Sequence, residues 1–295
     1  MQIDDRITGT TRFVGLLGNP VEHSVSPQLH NTISSYLNVD FVYIPFKVEK
    51  EDLESAVKGL RALNVVGFNV TIPFKKDIIK YLDENTKQAL LMGAVNTVKN
   101  IDGRLYGYNT DAEGFARSFR EETGTGLKGK RIFIIGAGGA ARAIAVKAAI
   151  DGADSIYIAA RTKSKADDIA GILNDNFGCN SETYALADEQ AADAFNECDV
   201  VINTTSAGMS PQQGVSPLDG TQCRFSSGQI VYDVIYNPPV TKFLNDAAMA
   251  GCKTVNGIGM LFYQGISAYE IWTGIKLSPE MLKELYQSFK GILKV

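Results

Sequence analysis

The sequence predicts an α/β protein with two domains and mainly parallel sheets. The chain has 295 residues, which is enough for two domains with sizeable hydrophobic cores. Short apolar runs alternate with helical patterns along most of the chain, as in proteins with parallel sheets. Apolar residues make up 45% of the chain and charged residues 21%, a balance typical of a globular protein rather than a disordered one.

The first part of the chain predicts strands and helices in strict alternation. Strands are expected at 12–18, 40–48 and 65–71. Helices are expected from Ser26 to about Asn38, from about Lys50 to Leu63 and from Pro73 to Leu82. Ser26 followed by Pro27 is typical of a helix start, with the serine as N-cap and the proline at the first helical position.

The second part of the chain predicts another unit of the same kind. A domain boundary is expected between Asp111 and Lys128, where the chain is rich in glycine and charge. Beyond it come a strand, a glycine turn and an alanine-rich helix within 127–153, and further strands at 155–161, 199–205 and 229–235. Two helical patterns end the chain, at 259–274 and at 278–295, the second with proline at its first position.

Composition excludes several classes of protein. A net charge of −4 and a pI of about 5.4 argue against a nucleic-acid partner. The four cysteines are scattered without a CxxC pair, so we expect neither disulfides nor a metal site, and a cytoplasmic location is the default. The N-terminal residues have no apolar run, so they do not predict a signal peptide, and no window predicts a membrane span.

The glycine turn predicts a dinucleotide-binding, Rossmann-like domain. Its residues follow a strand directly and open a helix, and they are Gly136, Ala137, Gly138, Gly139, Ala140 and Ala141. Glycine at the turn lets backbone amides approach a pyrophosphate at the helix N-terminus, and a small third residue lets the helix pack on the strand. The strand on either side strengthens the prediction over the alternative of a purely structural turn.

The end of the following strand favours NADP over NAD. NAD-binding domains usually place a carboxylate there, but this chain has Arg161, Thr162 and Lys165, and no carboxylate before Asp167. A guanidinium, a hydroxyl and an ammonium suit a dianionic 2′-phosphate. The alternative is a basic helix start that faces water.

Polar side chains in the first domain cluster at the ends of strands, where α/β proteins bind ligands. They are Ser24, Ser26, Thr71, Lys75, Asn96, Asn109, Thr110 and Asp111. Each also has a purely structural interpretation: Ser26 and Asp111 as helix caps, and Asn96 and Asn109 as turn residues. Lys76 has no such neighbours and is expected to be solvated.

Taken together, these motifs resemble the shikimate dehydrogenase family. The resemblance rests on GNPVEHSVSPQLHN, FNVTIPFK, GAVNTV, GYNTDAEGF, IGAGGAAR, NTTSAGM, YDVIYNPPVT and GIGMLFYQG, which occur in the family's order from Gly18 to about Gly274. It implies NADP-dependent, reversible reduction of 3-dehydroshikimate to shikimate. It also implies a substrate domain at 1–112 and 258–295, to which the C-terminal helices return, and an inserted NADP domain at 113–257.

The resemblance assigns roles to individual residues. In the family, Lys75 and Asp111 would be the catalytic pair, with the lysine transferring a proton and the aspartate orienting it. The implied substrate-binding residues are Ser24 and Ser26 for the carboxylate, Thr71, Asn96 and Gln264 for the hydroxyls, and Tyr236 in the pocket wall. The implied cofactor-binding residues, besides the glycine turn, are Arg161, Thr162, Lys165, Thr204, Ser206, Met209 and Gly257.

Some positions depart from the family's pattern, and some alternatives stay open. Ala112 stands where the family commonly has glycine, a change expected to leave Asp111 in place. Ala160 and Lys165 stand where the family commonly has asparagine and arginine, and these two changes are expected to weaken NADP binding. The nearest alternative is a quinate or dual quinate/shikimate dehydrogenase that uses NAD(P). Methylenetetrahydrofolate dehydrogenase shares only the two-domain plan, and a non-catalytic cofactor sensor need not keep both Lys75 and Asp111. Either a monomer or a homodimer is compatible with the sequence.

Overall fold

The computed structural model describes residues 7–293, which form two compact units. Unit 1 comprises the residues up to Thr110 together with those from Gly265 onward, and unit 2 comprises Asp111–Gln264. The first six residues, where the sequence predicts no signal peptide, and the last two lie outside the described residues. The glycine-rich segment expected to hold the domain boundary lies inside unit 2, because the division falls one helix earlier.

Unit 1 contains a six-stranded mixed sheet in the order β2-β1-β3-β5-β6-β4. Its strands are β1 Arg12–Gly18, β2 Phe41–Lys47, β3 Gly67–Val70, β4 Glu84–Asn85, β5 Thr97–Ile101 and β6 Arg104–Tyr108. Its helices are α1 Ser26–Tyr36, α2 Leu53–Ala62, α3 Lys87–Met92 and α10 Pro279–Leu293, with short 3₁₀ helices at Lys50–Asp52 and Asp77–Tyr81. Strand β1 pairs in parallel with β2 and β3, whereas β5 is antiparallel to both of its neighbours.

Two expectations for unit 1 are wrong at helix starts. The N-cap of α1 is Val25, and Ser26 is already helical and caps nothing. No helix begins at Pro73: a turn covers the next residues and a 3₁₀ helix follows only at Asp77–Tyr81. The reason is that the Lys75 carbonyl accepts from the Val95 backbone N–H, 2.7 Å away, which takes it out of any helical ladder.

Unit 2 contains a fully parallel six-stranded sheet in the order β12-β11-β10-β7-β8-β9. Its strands are β7 Arg131–Ile135, β8 Ser155–Ala160, β9 Asn180–Ala185, β10 Val200–Asn203, β11 Ile230–Asp233 and β12 Lys253–Val255. Its helices are α4 Asp111–Thr123, α5 Gly139–Ile150, α6 Lys163–Phe177, α7 Glu189–Glu197 and α8 Lys242–Met249. The order reverses between β7 and β10, so this is the predicted Rossmann-like, doubly wound sheet.

Hydrophobic packing explains why these segments fold as they do. The apolar stripe Leu53, Val57 and Leu60 of α2 is buried in the core of unit 1 beside Phe68. In unit 2 the rings of Phe133 and Phe195 meet edge to face, 5.3 Å apart between centroids, in the core under the sheet.

Helix α9 spans Ile258–Thr273, and its residues from Gly265 onward belong to unit 1. Trp272 Nε1 donates to the Val98 carbonyl at 2.8 Å, and Lys99 Nζ donates to the Ile271 carbonyl at 2.7 Å. A side chain at Gly67 would collide with the Trp272 ring, so the absence of a side chain lets the indole lie directly on β3. The C-terminal residues therefore return to unit 1, as expected. Among the helices of residues 7–293, none is both long and apolar enough to cross a membrane.

Candidate active site

The carboxyl ends of β1 and β3 form one edge of the unit 1 sheet, because these strands run in parallel. Thr71 follows β3, and its N–H donates to the Leu17 carbonyl of β1 at 2.9 Å. A side chain at Gly18 would collide with the Thr71 methyl group, so Thr71 packs against the bare backbone of β1. The backbone of Thr71 is thus fixed at the ligand-binding edge typical of α/β sheets.

Lys75 lies in the turn that follows Thr71, and its neighbour Lys76 differs from it in exposure. Lys75 is half-buried and Lys76 is exposed. The Phe74 N–H donates to the Thr71 carbonyl at 2.9 Å, and the Phe74 ring is fully buried, which anchors this turn in the core. Because the Val95 N–H also holds the Lys75 carbonyl, the backbone of Lys75 is fixed on both sides.

Asn96 is a buried side chain with a specific partner and not a surface turn residue. It is 2% exposed, and its Nδ2 donates to Thr110 Oγ1 at 2.9 Å while its Oδ1 accepts from the Thr110 N–H at 2.7 Å. Asn109 also serves the local backbone, because its Nδ2 donates to the Ala94 carbonyl at 3.0 Å. These bonds fix the chain immediately before Asp111, the first residue of α4.

Ser24 and Ser26 lie close together at the start of α1. The Ser26 N–H donates to Ser24 Oγ at 3.3 Å, and both residues are half-buried. Ser26 is the first residue of α1, so its hydroxyl is carried by a regular element rather than by a free loop. The structure therefore places Ser24, Ser26, Thr71, Lys75 and Asn96 in unit 1.

The sequence analysis did not single out two side chains that connect these residues. Tyr43 Oη donates to Asn69 Oδ1 at 2.8 Å, and Asn69 Nδ2 donates to the Asn96 carbonyl and to Thr97 Oγ1, both at 3.0 Å. Both side chains are buried. A polar asparagine inside the otherwise apolar run FNVTI was the one available signal, because a buried amide requires hydrogen-bond partners.

The glycine turn of unit 2 has the geometry that a dinucleotide requires. Gly136 has a φ of +109°, a conformation that favours glycine, and a side chain there would lie 2.6 Å from Thr204 Oγ1. Gly138 and Gly139 face open space at the start of α5. Ala137 and Ala140 are half-buried beside them, and Ala141 is fully buried. Helix N–H groups that open space can reach are suited to an anionic pyrophosphate.

The segment after β8 presents positive charge to solvent. Arg161, Thr162 and Lys165 are all exposed. Lys163, between them, pairs with Asp167 at 2.7 Å, and this bond is the main reason that the pKa of Asp167 is lowered. The nearest carboxylate after the strand is therefore held by a lysine, which fits a phosphate better than a ribose hydroxyl at this place.

Of the remaining residues of unit 2 that the resemblance assigns to the site, some have local packing or hydrogen-bond partners and others are exposed. Thr204 Oγ1 donates to the Ile135 carbonyl at 2.7 Å, and Ser206 and Met209 are exposed. A side chain at Gly257 would collide with the Val234 carbonyl, so backbone packing alone accounts for this glycine. Gln264 Nε2 donates to the Leu261 carbonyl at 2.9 Å within α9, and Tyr236 is exposed.

Asp233, at the end of β11, is a buried carboxylate that the sequence analysis also missed. It accepts from Thr241 Oγ1 at 2.6 Å, from Asn203 Nδ2 at 3.0 Å and from the Ile235 N–H at 3.1 Å. Burial raises the pKa of Asp233 to about 6, against the opposing effect of these hydrogen bonds. The carboxylate thus links the end of β10 to the segment that follows β11. Its position inside the motif YDVIYNPPVT was the feature of the sequence that could have indicated its importance. Across residues 7–293, no group of three or more His, Cys, Asp and Glu side chains is arranged to hold a metal ion.

Comparison with known proteins identifies the family. Three family models match the chain: the shikimate dehydrogenase substrate binding domain at 16–98, shikimate / quinate 5-dehydrogenase at 118–212, and the shikimate 5′-dehydrogenase C-terminal domain at 257–280. A relative from Alkaliphilus oremlandii, named shikimate dehydrogenase (NADP(+)), is 43% identical over 279 residues, which are 94% of this chain and 97% of that protein.

Solved structures agree with this assignment. The crystal structure of shikimate 5-dehydrogenase from Listeria monocytogenes in complex with shikimate and NAD matches with a TM-score of 0.90 and 39% identity, over 96% of this chain and 99% of that one. Quinate dehydrogenase from Corynebacterium glutamicum in complex with NAD matches with a TM-score of 0.84 and 27% identity, over 94% and 99% of the two chains. The family models and the curated relative together show that this chain belongs to the shikimate dehydrogenase family.

Proposed function

We propose that this protein is an NADP-dependent shikimate dehydrogenase that reversibly reduces 3-dehydroshikimate to shikimate, a step of aromatic amino acid and chorismate biosynthesis. The relative named shikimate dehydrogenase (NADP(+)) supports the activity, since it matches nearly the whole chain. The observation that carries the proposal is the buried pairing of Asn96 with Thr110, which fixes the chain before Asp111.

Lys75 and Asp111 are the catalytic pair of this proposal. Reduction of a ketone to an alcohol needs a hydride at carbon and a proton at oxygen, and the reverse reaction removes both. Lys75 supplies the proton to the carbonyl oxygen in reduction and takes it from the hydroxyl in oxidation. Asp111 orients the ammonium group and the reacting hydroxyl. The fixed backbone of Lys75 supports this role, because a proton donor must be held within hydrogen-bond reach of the reacting atom.

The substrate's other groups bind residues with matching chemistry. The hydroxyls of Ser24 and Ser26 donate hydrogen bonds to the substrate carboxylate. The carboxylate is therefore bound by neutral donors. Thr71, Asn96 and Gln264 bind the ring hydroxyls, and Tyr236 lines the pocket. Several of these side chains sit on regular elements or are buried, which favours a site that is formed before the substrate arrives.

NADP is the cofactor of this proposal, and unit 2 is the domain that binds it. When bound, NADP exchanges the hydride with the substrate carbon. The N–H groups from Gly136 to Ala140 bind the pyrophosphate, while Arg161, Thr162 and Lys165 bind the 2′-phosphate. Thr204, Ser206, Met209 and Gly257 belong to the nicotinamide side of the site, although packing already explains Gly257.

A single set of assays tests the activity. Purified protein is incubated with shikimate or quinate, each with NADP⁺ or NAD⁺, and the absorbance of the reduced nicotinamide is followed. We expect the highest kcat/KM for shikimate with NADP⁺. A higher value for quinate makes the protein a quinate or dual dehydrogenase, and no turnover with any pair leaves a non-catalytic cofactor sensor.

Two neighbouring lysines provide a matched test of the catalytic assignment. Lys75→Met should lower kcat by about 100-fold or more while shikimate affinity is largely kept, because proton transfer acts in the transition state. Lys76→Met removes the same charge one residue later and should change kcat by less than about twofold. Near-normal turnover of Lys75→Met contradicts the assignment.

Asp111→Asn removes the carboxylate and keeps its size. Because the aspartate orients rather than transfers the proton, we expect a fall in kcat of about 10- to 100-fold, smaller than that of Lys75→Met. If kcat falls further in Asp111→Asn than in Lys75→Met, Asp111 is the proton-transfer group and Lys75 the orienting one.

The same proposal covers location and assembly. A cytoplasmic enzyme, as either a monomer or a homodimer, agrees with the scattered cysteines, all of them free in the structure, and with a small-molecule substrate. Light scattering coupled to size exclusion measures the assembly directly.

A further inference from the structure

A chain of buried polar side chains runs through unit 1, and Asn96 is the only one of them that the proposed function assigns to the substrate. Tyr43 Oη donates to Asn69 Oδ1 at 2.8 Å, and Asn69 Nδ2 donates to Thr97 Oγ1 at 3.0 Å. Thr97 Oγ1 in turn donates to Asn96 Oδ1 at 3.1 Å, and Asn96 holds Thr110. All five side chains are at most 6% exposed, so water does not compete for these bonds.

The other end of the chain is Tyr43 itself. Burial raises the pKa of its phenol, so the hydroxyl stays protonated and donates to Asn69. Tyr43 thus lies between helix α1, which begins with Ser26, and Asn96, which is proposed to bind a ring hydroxyl and whose carbonyl accepts from Asn69.

Three independent contacts fix Tyr43 itself. Its ring stacks on the His30 ring with 4.5 Å between centroids and 12° between planes. Its backbone is clamped by one side chain, since the Tyr43 N–H donates to Asn31 Oδ1 at 2.8 Å and Asn31 Nδ2 donates to the Tyr43 carbonyl at 3.2 Å. His30 and Asn31 lie on α1, the helix that begins with Ser26.

We propose that Tyr43 is a positioning residue for the substrate, which holds helix α1, with Ser26 at its start, in a fixed place relative to Asn69 and Asn96. The inference rests on the proposed function, because it assigns Tyr43 to the substrate-binding residues named there. Helix α1 presents Ser26 at its start and holds Tyr43 through His30 and Asn31, so helix and tyrosine form one rigid part. Without the hydroxyl, Asn69 Oδ1 loses its Tyr43 donor, and the Asn69 side chain that holds the Asn96 carbonyl is less firmly fixed.

The direct test is Tyr43→Phe, which removes one oxygen and keeps the stacked ring. We expect the KM for shikimate to rise about 5- to 10-fold, the loss of one buried hydrogen bond, with kcat changed less than about threefold. The KM for NADP⁺ should stay within about twofold of the wild-type value. A shikimate KM within about twofold of wild type overturns the proposal.

Tyr232→Phe is the matched control. Tyr232 is also fully buried, and its hydroxyl donates to Ser118 Oγ at 2.9 Å, but both residues belong to unit 2. The two variants lose equivalent buried bonds, so a purely structural role predicts the same effect on thermal stability and none on shikimate KM in both. Only the positioning role predicts that the two variants differ in shikimate KM.

If Tyr43→Phe does not yield folded protein, Asn31→Ala gives the same test with the hydroxyl kept. It releases the backbone clamp, and we expect shikimate KM to rise about two- to fivefold; an unchanged KM overturns the proposal. The wild-type assay separates the two levels of inference. A wild-type protein that does not oxidise shikimate removes both the function and the positioning role, whereas an active wild type with unaffected variants removes the positioning role alone.

Discussion

The residues proposed to bind ligands are presented by different physical means in the two units. In unit 1 the proposed site depends on buried amides and hydroxyls, and Asn69 and Asn96, which are 6% and 2% exposed, are bonded to each other. In unit 2 it depends on glycine backbone and on exposed cations such as Arg161. Substitutions in unit 1 should therefore reduce stability and activity together, whereas those in the cation segment of unit 2 should reduce cofactor affinity alone.

The same contrast appears in the buried titratable groups. Burial lowers the pKa of His30 in unit 1 to about 3, and burial raises the pKa of Asp233 in unit 2 to about 6. Both shifts favour the neutral form of the buried group in the folded protein. Their consequences for stability have opposite signs with pH, because a histidine gains charge on acidification and an aspartate gains it as the pH rises.

The largest expected effect is the loss of His30's contribution in acid. The unfolded chain protonates this histidine near pH 6.5 and the folded one only near 3, so its stabilising contribution is present above about pH 6.5 and is lost as the pH falls towards 3. The loss is on the order of 4 kcal/mol over that range. Trp272, the one tryptophan of the chain, lies 5.2 Å from the His30 ring and reports unfolding of unit 1 by fluorescence.

His30→Phe isolates this contribution, because it keeps an aromatic ring against Tyr43 and removes the titration. Urea unfolding at several pH values should show a steeper loss of stability on acidification in the wild type than in the variant. Carboxylates with a lowered pKa, such as Asp83, are common to both proteins and cancel in the difference. Parallel curves show that His30 is not buried in neutral form.

The next effect comes from Asn96→Ala, which should combine both kinds of loss. The change leaves the Thr110 N–H without its buried acceptor and takes one partner from each of the hydroxyls of Thr97 and Thr110, which keep each other at 3.1 Å; we expect a cost of about 3 kcal/mol of the free energy of unfolding. We expect kcat/KM for shikimate to fall by about 100-fold or more as well. Denaturant unfolding and steady-state kinetics measure the two losses. A variant of normal stability that loses only activity breaks the contrast between the units.

Local patterns in the sequence predicted most of the fold, and the failures have a common cause. The glycine turn, the strand before it and the strand after it are all confirmed, because each depends on neighbours in sequence. The helix predicted from Pro73 is wrong, because the partner of the Lys75 carbonyl is Val95, twenty positions on. A hydrogen bond between distant segments leaves no local pattern.

The candidate site shows the same limit. For Asn96 the sequence allowed a ligand-binding residue or a turn residue and gave no sign of its burial, because that burial depends on Thr110 and on the Asn69 side chain from another strand. Tyr43 had no signal of its own, because a tyrosine in an alternating strand is common. Contacts between side chains of different strands depend on how the strands pair in the sheet, so the sequence alone does not indicate them.

The buried carboxylate of unit 2 should give a smaller effect of opposite sign to that of His30. The folded pKa of Asp233, about 6, exceeds that of the unfolded chain, so its stabilising contribution is present below about pH 4 and is lost as the pH rises through 6. We expect the wild type to lose about 2 kcal/mol relative to Asp233→Asn between about pH 4 and 7. Hydrogen exchange of β11 and β12 at each pH measures this within unit 2, and a constant difference contradicts the assignment.

The smallest effect concerns an exposed cation and should leave stability untouched. Arg161→Met should raise the KM for NADP⁺ about tenfold at low ionic strength, and less at high salt, because an exposed guanidinium is screened. The KM for NAD⁺ should not change, since NAD⁺ lacks the 2′-phosphate. Arg120→Met removes another exposed arginine of unit 2 and should leave both constants unchanged. If Arg161→Met lowers the free energy of unfolding by more than about 1 kcal/mol, Arg161 contributes to the stability of unit 2. The contrast between an exposed cation segment in unit 2 and a buried, stabilising site in unit 1 is then wrong.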